Sequence, residues 1–330
     1  MSGSEENTVQ WRPDARELAQ RLKPVMDQVE AGRLHALRRR SKALLIIVVC
    51  VILGILGAIG VSSHGGQTGA EGFFVLILSV VIAVTVYYFM ASQPLKSYRH
   101  HFKSTVFRHA VRAVAPGVEY LPSNMISRHL FEQSGLFSSD IDSYEGEDCF
   151  HGKVGSTQIS LSELHVQRKE RSGKNTRWVT VFQGIFMIAD FHKNFRCTVI
   201  VEPDFAEAAF GFLGRKLQGL SGNLIRLENP EFERAFKVRG SDPVEARYIL
   251  TPDMQERFLA LRNNWSPEIR AAFRDSSLVL AIPKSGDWFE VDPSTPANSP
   301  GHLTRFFNQL LPLLHIPTQM DLNTRLWTKE

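Results

Sequence analysis

The sequence contains two pairs in which a carboxylate residue lies two positions before a histidine. Their residue types and spacing come closest to those of a catalytic or metal-binding site. Glu163 precedes His165 by two positions, and Asp190 precedes His192 by two. Both pairs fall in β-strand-like runs, where residues two apart point to the same face. Each pair could offer one oxygen and one nitrogen ligand to a metal ion such as zinc. These four residues are therefore the candidate metal ligands.

The predicted strand register keeps the two pairs apart. We centre the turn between their strands on Ser172 and Gly173. Glu163 then lies opposite Phe182, and Asp190 lies about 25 Å further along the strand. We therefore expect hydrogen-bonded polar groups at strand ends. A membrane-tethered hydrolase or metal-dependent enzyme that assembles its site from both pairs is the alternative function, because catalytic groups converge in space from distant sequence positions.

An acidic segment and a basic segment lie close to these pairs. The acidic one, near His151, could hold a cation, but we predict a solvated loop, since it lacks the spaced oxygen ligands and glycine of a calcium loop. It holds Glu145, Glu147 and Asp148. The basic one is the tip of the predicted hairpin, where a solubilising role is common and no interleaved aromatic platform is evident. Its residues could instead contact membrane phosphate, a partner or RNA: Arg168, Lys169, Arg171 and Lys174.

The sequence contains none of the common catalytic motifs. There is no HExxH, no GxSxG and no dinucleotide fingerprint, and the glycine-rich stretch at residues 211–216 is too short for a phosphate loop. We therefore predict no catalytic residue and no cofactor. The net charge of +4 is mildly basic, and the excess lies near the apolar segments, so no specific nucleic-acid partner is indicated. The three cysteines show no zinc or disulfide spacing.

Two uncharged apolar stretches, residues 43–63 and 72–92, determine the organisation of the chain. Each is about as long as a helix that crosses a bilayer. The sequence therefore predicts a transmembrane helical hairpin over residues 43–92. An amphipathic helix in residues 1–42 precedes it, a juxtamembrane helix in residues 93–117 follows it, and residues 118–330 form a cytoplasmic α+β domain.

Basic residues flank both apolar stretches, and the short connection between the stretches, residues 64–71, has neither Lys nor Arg. Because basic flanks are retained in the cytoplasm, both termini are predicted to be cytoplasmic, in a multi-pass protein of a bacterial inner membrane. The flanking residues are Arg33, Arg38, Arg39, Arg40 and Lys42 before the first stretch, and Lys96, Arg99 and Lys103 after the second. Of these, residues 38–40 and 42 are candidate contacts to anionic lipid or a partner.

Helix packing is indicated by two further patterns. Gly54, Ala58 and Ser62 place small side chains on one helix face, which favours packing within the hairpin over self-association. In the predicted amphipathic helix of residues 1–42, which we call the leader, apolar residues are spaced alternately by four and three positions, and Pro24 interrupts the pattern. This spacing predicts packing against the juxtamembrane helix rather than an autonomous coiled coil. The leader residues are Leu18, Leu22, Val25 and Val29, and their predicted partners are Val106, Phe107, Ala110, Val111 and Val114.

The remaining chain reads as an antiparallel β-meander with packed helices, without the regular alternation of a doubly wound sheet. Strands are predicted at residues 149–154, 157–167, 177–191, 196–202 and 224–228. A helix should begin at Asp204 and bury apolar positions of residues 205–217. Another should begin at Thr251, which precedes a proline. A hairpin around Asp275 and Ser276 should join residues 269–273 to 278–283, and a polar loop at 285–301 should precede a last helix at 303–314.

Several short blocks run through this region in order: SGLF at residues 134–137, YEGED at 144–148, SELH at 162–165, ADF at 189–191, NPEFERAF at 229–236, EARYILTP at 245–252 and LNTRLW at 322–327. With these blocks the chain resembles the bacterial domain-of-unknown-function family 3137. The resemblance implies a membrane-anchored protein with two spans ahead of the domain and no established activity. His192 and Asn229 depart from the family pattern, where Asn and Asp are expected.

Together these patterns predict a membrane-anchored cytoplasmic binding or scaffold module. Its partners would be the lipid bilayer, through two transmembrane helices, and a membrane or cytoplasmic protein. Binding is favoured over catalysis because no nucleophile with its base and no metal signature is evident in the sequence.

Overall fold

The computed structural model describes residues 15–63, 70–137, 139–173, 175–191, 195–204 and 223–322. It has a mixed α+β architecture, with long apolar helices in the N-terminal region followed by an antiparallel sheet and further helices. The chain divides into two compact units. The first comprises Met1–Ala110 with Glu290–Phe306, and the second comprises Val111–Phe289 with Phe307–Glu330.

The N-terminal region is helical. Its elements are α1 (Ala15–Arg21), α2 (Lys23–Ser63), α3 (Ala70–Val86), a π-helical segment (Tyr87–Ser92), α4 (Gln93–Phe102), a second π-helical segment (Lys103–Phe107) and α5 (Arg108–Val114). The predicted leader helix is thus interrupted at Leu22, next to Pro24, and its second part continues into the first apolar stretch without a break. The 41 residues of α2 give a helix of about 60 Å.

Two helical stretches are long and apolar enough to cross a membrane. They are Lys23–Val61 and Glu71–Val114, and only 11% of the most apolar window of each is buried within the protein. A core helix of a soluble protein would be mostly buried in its own fold. Large apolar side chains such as Leu45 and Phe74 are instead 68% exposed, as expected of residues that face lipid.

Small residues allow α2 and α3 to approach closely, as the glycine pattern predicted. A Cβ atom added at Gly54 would lie only 2.4 Å from the Ser79 hydroxyl oxygen, and one at Gly57 would lie 3.3 Å from Val75. Nothing lies within 4 Å of a Cβ at Gly60. Gly54 therefore lies at the helix contact, where small side chains permit backbone approach.

Beyond the apolar stretch, α2 buries a continuous stripe. Leu18 on α1 and Val29 are buried as predicted, whereas Leu22 and Val25 are only half-buried. Met26 and Ala36 join the stripe, although the sequence pattern did not single them out. The predicted partner stripe is buried throughout, at Val106, Phe107, Ala110, Val111 and Val114. Within the first unit, Phe107 stacks on Phe306 with ring centroids 4.0 Å apart.

The first π-helical segment has a local cause in the sequence. Pro94 lies in the first turn of α4, directly after Tyr87–Ser92. Proline lacks an N–H group, and its ring clashes with the carbonyl of the residue four positions earlier. A one-residue expansion of the helix before the proline relieves that clash and lets the helix continue.

The described residues of the second unit are built on a sheet of nine antiparallel strands in the order β1-β2-β3-β4-β9-β8-β5-β7-β6. The strands are β1 (Val118–Leu121), β2 (Ser143–Val154), β3 (Thr157–Ser172), β4 (Asn175–Asp190), β5 (Val199–Pro203), β6 (Asn223–Ile225), β7 (Phe236–Gly240), β8 (Arg270–Arg274) and β9 (Ser277–Pro283). The remaining helices are α6 (Arg128–Gln133), α7 (Pro230–Ala235), α8 (Pro243–Ile249), α9 (Pro252–Asn264) and α10 (Pro300–Gln319).

The sheet has a core on each face. On one face α6 packs through Phe131 against Phe182 and Phe186 of β4. On the other, Phe258 of α9 packs against Phe273 of β8. Thr251 accepts the Met254 N–H at the start of α9, and Pro252 follows it, so this predicted helix start is confirmed. The predicted hairpin is confirmed as β8 and β9, which are joined by two residues with positive φ, Asp275 and Ser276.

Three predictions about the strands and the last helix differ from the structure, and one predicted helix cannot be compared with it. Residues 145–148 are not a loop but part of β2, because residues 143–147 and 150–154 pair with β3 on both sides of a bulge. The last helix continues beyond residue 314 to Gln319 and includes Pro312 and Pro317, because Ile316 and Met320 extend its buried side. The third difference is the β3–β4 register: Glu163 pairs with Ile185, not Phe182. The helix predicted over residues 205–217 lies outside the described residues.

Candidate functional site

The register difference has two physical sources. Ser172 pairs with Asn175, so the centre of the turn lies one position later than predicted, which moves each cross-strand partner by two residues. A β-bulge between Val166 and Gln167 then shifts the pairing by one more residue. A bulge places two residues of one strand opposite one of its partner, and a sequence pattern of alternating residues does not reveal it.

A cluster of three acids lies where β2 and β3 pair. Glu147 of β2 is directly opposite Glu163 of β3, and the ladder is interrupted by a bulge between Glu147 and Phe150. The bulge gives Asp148 a positive φ of 57°. As a result one carboxylate oxygen from each of the three acids lies within 4.8 Å of the others. Of the two carboxylate–imidazole pairs only Glu163 belongs to this cluster among the described residues, whereas Glu147 and Asp148 come from the acidic segment.

Protein groups satisfy the buried acids of the cluster. Glu163 is only 7% exposed, and one of its oxygens accepts the Trp288 backbone N–H at 2.9 Å. Asp148 is fully buried; the Tyr120 hydroxyl donates to its carboxylate, and its own N–H donates to the Pro122 carbonyl at 3.1 Å. Buried polar groups with such partners need no additional ligand.

Burial raises the pKa of Glu163 to about 8, and the nearby carboxylates of Asp148, Glu147 and Asp287 add to the increase. At neutral pH the Glu163 carboxyl group therefore carries a proton. A neutral acid avoids the repulsion between like charges on directly opposed strand residues. Protonation and internal hydrogen bonds together account for the cluster, which gives no argument for a bound ion.

Replacing Glu163 with Gln should stabilise the protein at alkaline pH. The pKa in the folded state is about 8, against 4.5 for the ordinary group, so stability falls as pH rises between these values, where only the unfolded state releases the proton. Glutamine stays neutral. We expect Glu163→Gln to match the parent protein near pH 4.5 and to exceed its unfolding free energy by about 5 kcal/mol at pH 9, measured by urea unfolding in detergent micelles.

The control for this prediction is Glu119→Gln, which makes the same chemical change at an exposed position of β1. It should change the unfolding free energy by less than about 0.5 kcal/mol, because substitutions at exposed positions have small effects on stability. A parallel pH dependence in the Glu163→Gln variant and the parent would show that Glu163 is already ionised in the folded protein.

The structure separates the other predicted metal ligands. His165 shares a strand face with Glu163 and lies opposite Glu145 and Gln183. Asp190 ends β4 and pairs with Ser277 of β9. Since Glu163 pairs with Ile185, Asp190 lies five positions further along, about 17 Å at the rise of a strand. His192 lies outside the described residues. In the part that is described, the two candidate pairs do not converge.

The basic hairpin tip extends beyond both neighbouring strands. The β2 pairing ends at Gln167, and the β9 pairing begins only at Gly184. We call residues 168–182 the hairpin arm. Its sequence holds five basic residues and one acid: Arg168, Lys169, Arg171, Lys174, Arg177 and Glu170. Lys174 lies outside the described residues.

The two faces of the hairpin arm differ in charge, because paired residues share a face. On one face Glu170 accepts a hydrogen bond from Arg177 at 2.8 Å, and Arg168 lies 3.5 Å away. The bond from Arg177 lowers the pKa of Glu170. The opposite face carries Lys169 paired with Trp178, and Arg171 beyond them. The sequence analysis missed this exposed aromatic residue, because the predicted register did not place Trp178 opposite Lys169.

A second basic surface lies on α2. Arg38, Arg39, Arg40 and Lys42 are all exposed, directly before the apolar stretch. Among the residues that follow the second stretch, Lys96 is exposed, whereas Arg99 and Lys103 lie 3.6 and 3.9 Å from Glu290. The exposed positive charge of the first unit is thus concentrated at the end of its apolar stretches.

Arg33, which the sequence analysis counted among the flanking basic residues, is instead buried. Its guanidinium group donates to both oxygens of Glu30, at 2.9 and 2.7 Å, and to the Pro293 carbonyl at 2.9 Å. Glu30 also accepts the Ala297 N–H at 2.6 Å. Nearby, Asp27 accepts a hydrogen bond from Asn298. This network attaches the polar segment around residues 293–298 to α2 within the first unit. The sequence does contain a signal for the burial of Arg33, because this residue continues the helical spacing of the buried residues Met26 and Val29.

Comparison with known proteins gives one match. The family described as "Protein of unknown function (DUF3137)" matches residues 180–322, so the resemblance noted in the sequence blocks is confirmed over that part of the chain. No curated protein and no solved structure matches the chain.

Proposed function

Because residues 180–322 match the DUF3137 family, whose description assigns no activity, we propose that this protein is a membrane-anchored binding or scaffold module. Two transmembrane helices hold it in a bacterial inner membrane, with both termini in the cytoplasm. The α+β domain then presents a binding surface for a membrane or cytoplasmic protein. The observation that carries the proposal is the exposed apolar surface of α2 and α3, which is continuous with a buried helical stripe in the same unit.

The distribution of side chains along α2 supports the anchor. Its first half buries Met26, Val29 and Ala36 within the protein, and its second half exposes residues such as Leu45 and Leu56. The exposed basic residues 38–40 and 42 separate these halves, at the level where cations interact with lipid headgroups. One helix thus changes from protein-facing to lipid-facing along its length.

The arrangement of titratable groups supports binding over catalysis. The most perturbed carboxylate of the candidate cluster, Glu163, is protonated and accepts a hydrogen bond from Trp288. Asp190, which an enzyme of the alternative kind would need beside Glu163 and His165, lies about 17 Å further along the strand. Exposed basic side chains lie in the hairpin arm and directly before the apolar stretch of α2, which suits recognition of a partner or a membrane.

The anchor and its orientation are tested with reporter fusions. A reporter that is active only outside the cytoplasm, inserted at Gly66, should be active, and a reporter that is active only in the cytoplasm should be active at the C-terminus. Silence of both fusions, with the fusion proteins present in the membrane fraction, would contradict the orientation.

The binding role is tested by crosslinking the full chain in its own membranes and identifying the crosslinked protein. An unrelated two-span protein at the same expression level is the control. We expect one partner to be enriched at least about tenfold over this control. Recovery of no such partner, together with hydrolysis of an ester, phosphate or peptide substrate that is lost in Glu163→Gln and His165→Ala variants, would favour the enzyme instead.

A further inference from the structure

We infer that the exposed face of the hairpin arm, formed by Lys169, Arg171 and Trp178, docks on the surface of an anionic lipid bilayer. This inference rests on the proposed function, because the two transmembrane helices supply the bilayer. It adds a second, electrostatic contact between the protein and the membrane, which is distinct from the anchor.

Three features of this face suit a lipid surface. Trp178 is 50% exposed, and indole rings are favoured at the boundary between headgroups and acyl chains. The Lys169 ammonium group lies 4.8 Å from the centre of the Trp178 ring, so the cation and the ring form one surface. Arg171 adds a second cation two positions along the same strand face. Lys169 and Arg171 are within reach of headgroup phosphates when the indole lies on the lipid.

Lys169 and Arg171 can interact with lipid phosphates because Glu170, the acidic residue of the arm, pairs with other basic residues. Glu170 faces the opposite side, where Arg168 and Arg177 pair with it. Asp142, at the base of the arm, accepts the backbone N–H of Lys169. Among the described residues, no carboxylate lies within ion-pair distance of the Lys169 or Arg171 side chain.

Other partners fit this face less well. A peptide strand would add along the backbone edge of β4 and would not need a cation and an indole on the flat face of the arm. Single-stranded RNA is bound on platforms where several bases stack on successive aromatic rings. On this face Trp178 is the single aromatic residue among the described positions of the arm. A bilayer requires one amphipathic ring with cations beside it, and this face presents that combination.

Tethering makes a weak docking contact effective. The arm and the transmembrane helices belong to one chain, so docking is intramolecular and occurs at a high effective concentration of lipid. Each basic residue close to an anionic leaflet strengthens binding by about fivefold. Two such residues therefore shift the docked equilibrium by about 25-fold, and salt should weaken it.

The test uses the full chain in nanodiscs whose acyl chains carry bromine, a short-range quencher of indole fluorescence. All five tryptophans lie outside residues 43–92, and subtracting the Trp178→Phe signal isolates Trp178. We expect this component to be quenched in discs containing phosphatidylglycerol, and to recover in pure phosphatidylcholine discs or in 0.5 M salt. The variant Lys169→Glu/Arg171→Glu should lose the quenching. The control Arg128→Glu/Lys153→Glu changes the charge equally at exposed positions and should keep it.

Three outcomes would overturn the inference. One is an unquenched Trp178 in phosphatidylglycerol discs. Another is equal quenching in the Lys169→Glu/Arg171→Glu variant. The third is a Trp178 signal that responds only to an added RNA oligonucleotide or to polyglutamate. Chain that stays in the discs with an unquenched Trp178 refutes the arm contact alone, whereas chain that elutes without lipid refutes the anchor itself.

Discussion

Replacing Arg33 with methionine is expected to accelerate amide hydrogen exchange at Ala297 by at least about a hundredfold. The Arg33 side chain is 8% exposed and lies 2.7 Å from Glu30. Removing one partner leaves the other as an uncompensated buried charge, at a cost of about 3 to 5 kcal/mol. Each 1.4 kcal/mol is a factor of about ten. Because the Ala297 N–H donates to Glu30, its exchange in detergent micelles reports this loss directly.

Two comparisons separate the buried pair from a general loss of charge. Arg21→Met breaks an ion pair with Glu17 whose side chains are 73% and 60% exposed, so it should change exchange at Ala297 by less than about threefold. The double variant Glu30→Gln/Arg33→Met removes both charges and should recover most of the loss. Equal effects of Arg33→Met and Arg21→Met would show that the network does not hold the segment.

The ion pair between Glu30 and Arg33 also predicts that protection of the Ala297 amide depends on pH. The hydrogen bond from Arg33 holds the pKa of Glu30 below its usual value. A depressed folded-state pKa contributes stability above the unfolded pKa, and this contribution is lost as the pH falls through the folded value. Protection at Ala297 should therefore decrease on acidification in the parent protein, and much less in the double variant.

Replacing Phe131 with alanine is expected to lower the free energy of unfolding of the second unit by about 3 to 5 kcal/mol. This ring is 1% exposed and is the centre of an aromatic cluster on one face of the sheet. Its centroid lies 5.1 Å from Phe137, 5.6 Å from Tyr144 and 5.0 Å from Phe186. Alanine would leave a cavity that the rigid strand β4 cannot fill. Urea unfolding of the detergent-solubilised chain, followed by near-ultraviolet circular dichroism, measures the loss.

Leu130 provides the matched control for this prediction. It precedes Phe131 in the same short helix and is 43% exposed, so Leu130→Ala changes helix composition equally but creates no buried cavity. Its cost should stay below about 1 kcal/mol. If the two variants lost equal stability, α6 would not cover the sheet through Phe131.

The sequence predicted the parts of the fold that depend on local patterns. The length of the two apolar stretches identified both helices that are long enough to cross a membrane, because a run of about twenty apolar residues is typical of a transmembrane helix. Turn chemistry located the β8–β9 hairpin around Asp275 and Ser276, and the cap at Thr251 located α9. In each case the determining residues lie within a few positions of one another.

The candidate sites depend on contacts that local patterns do not encode. The position of the turn brought Trp178 opposite Lys169, and the turn together with the bulge at Val166 and Gln167 moved Glu163 opposite Ile185. A one-residue change in register alters every cross-strand neighbour. Arg33 was misassigned for a similar reason, since the Pro293 carbonyl that it binds lies 260 positions away in the sequence. The Ala297 N–H, which donates to its partner Glu30, is equally remote. Long-range pairing therefore determined what the sequence analysis missed.

The most direct test of the account is extraction of the full chain from cell membranes with alkaline carbonate. Carbonate strips peripheral proteins, whereas proteins with lipid-embedded helices stay with the bilayer until detergent is added. The account predicts that the parent chain stays in the membrane pellet and that a variant lacking residues 43–92 is released. Release of the parent chain as a monodisperse species in carbonate, without detergent, would contradict it.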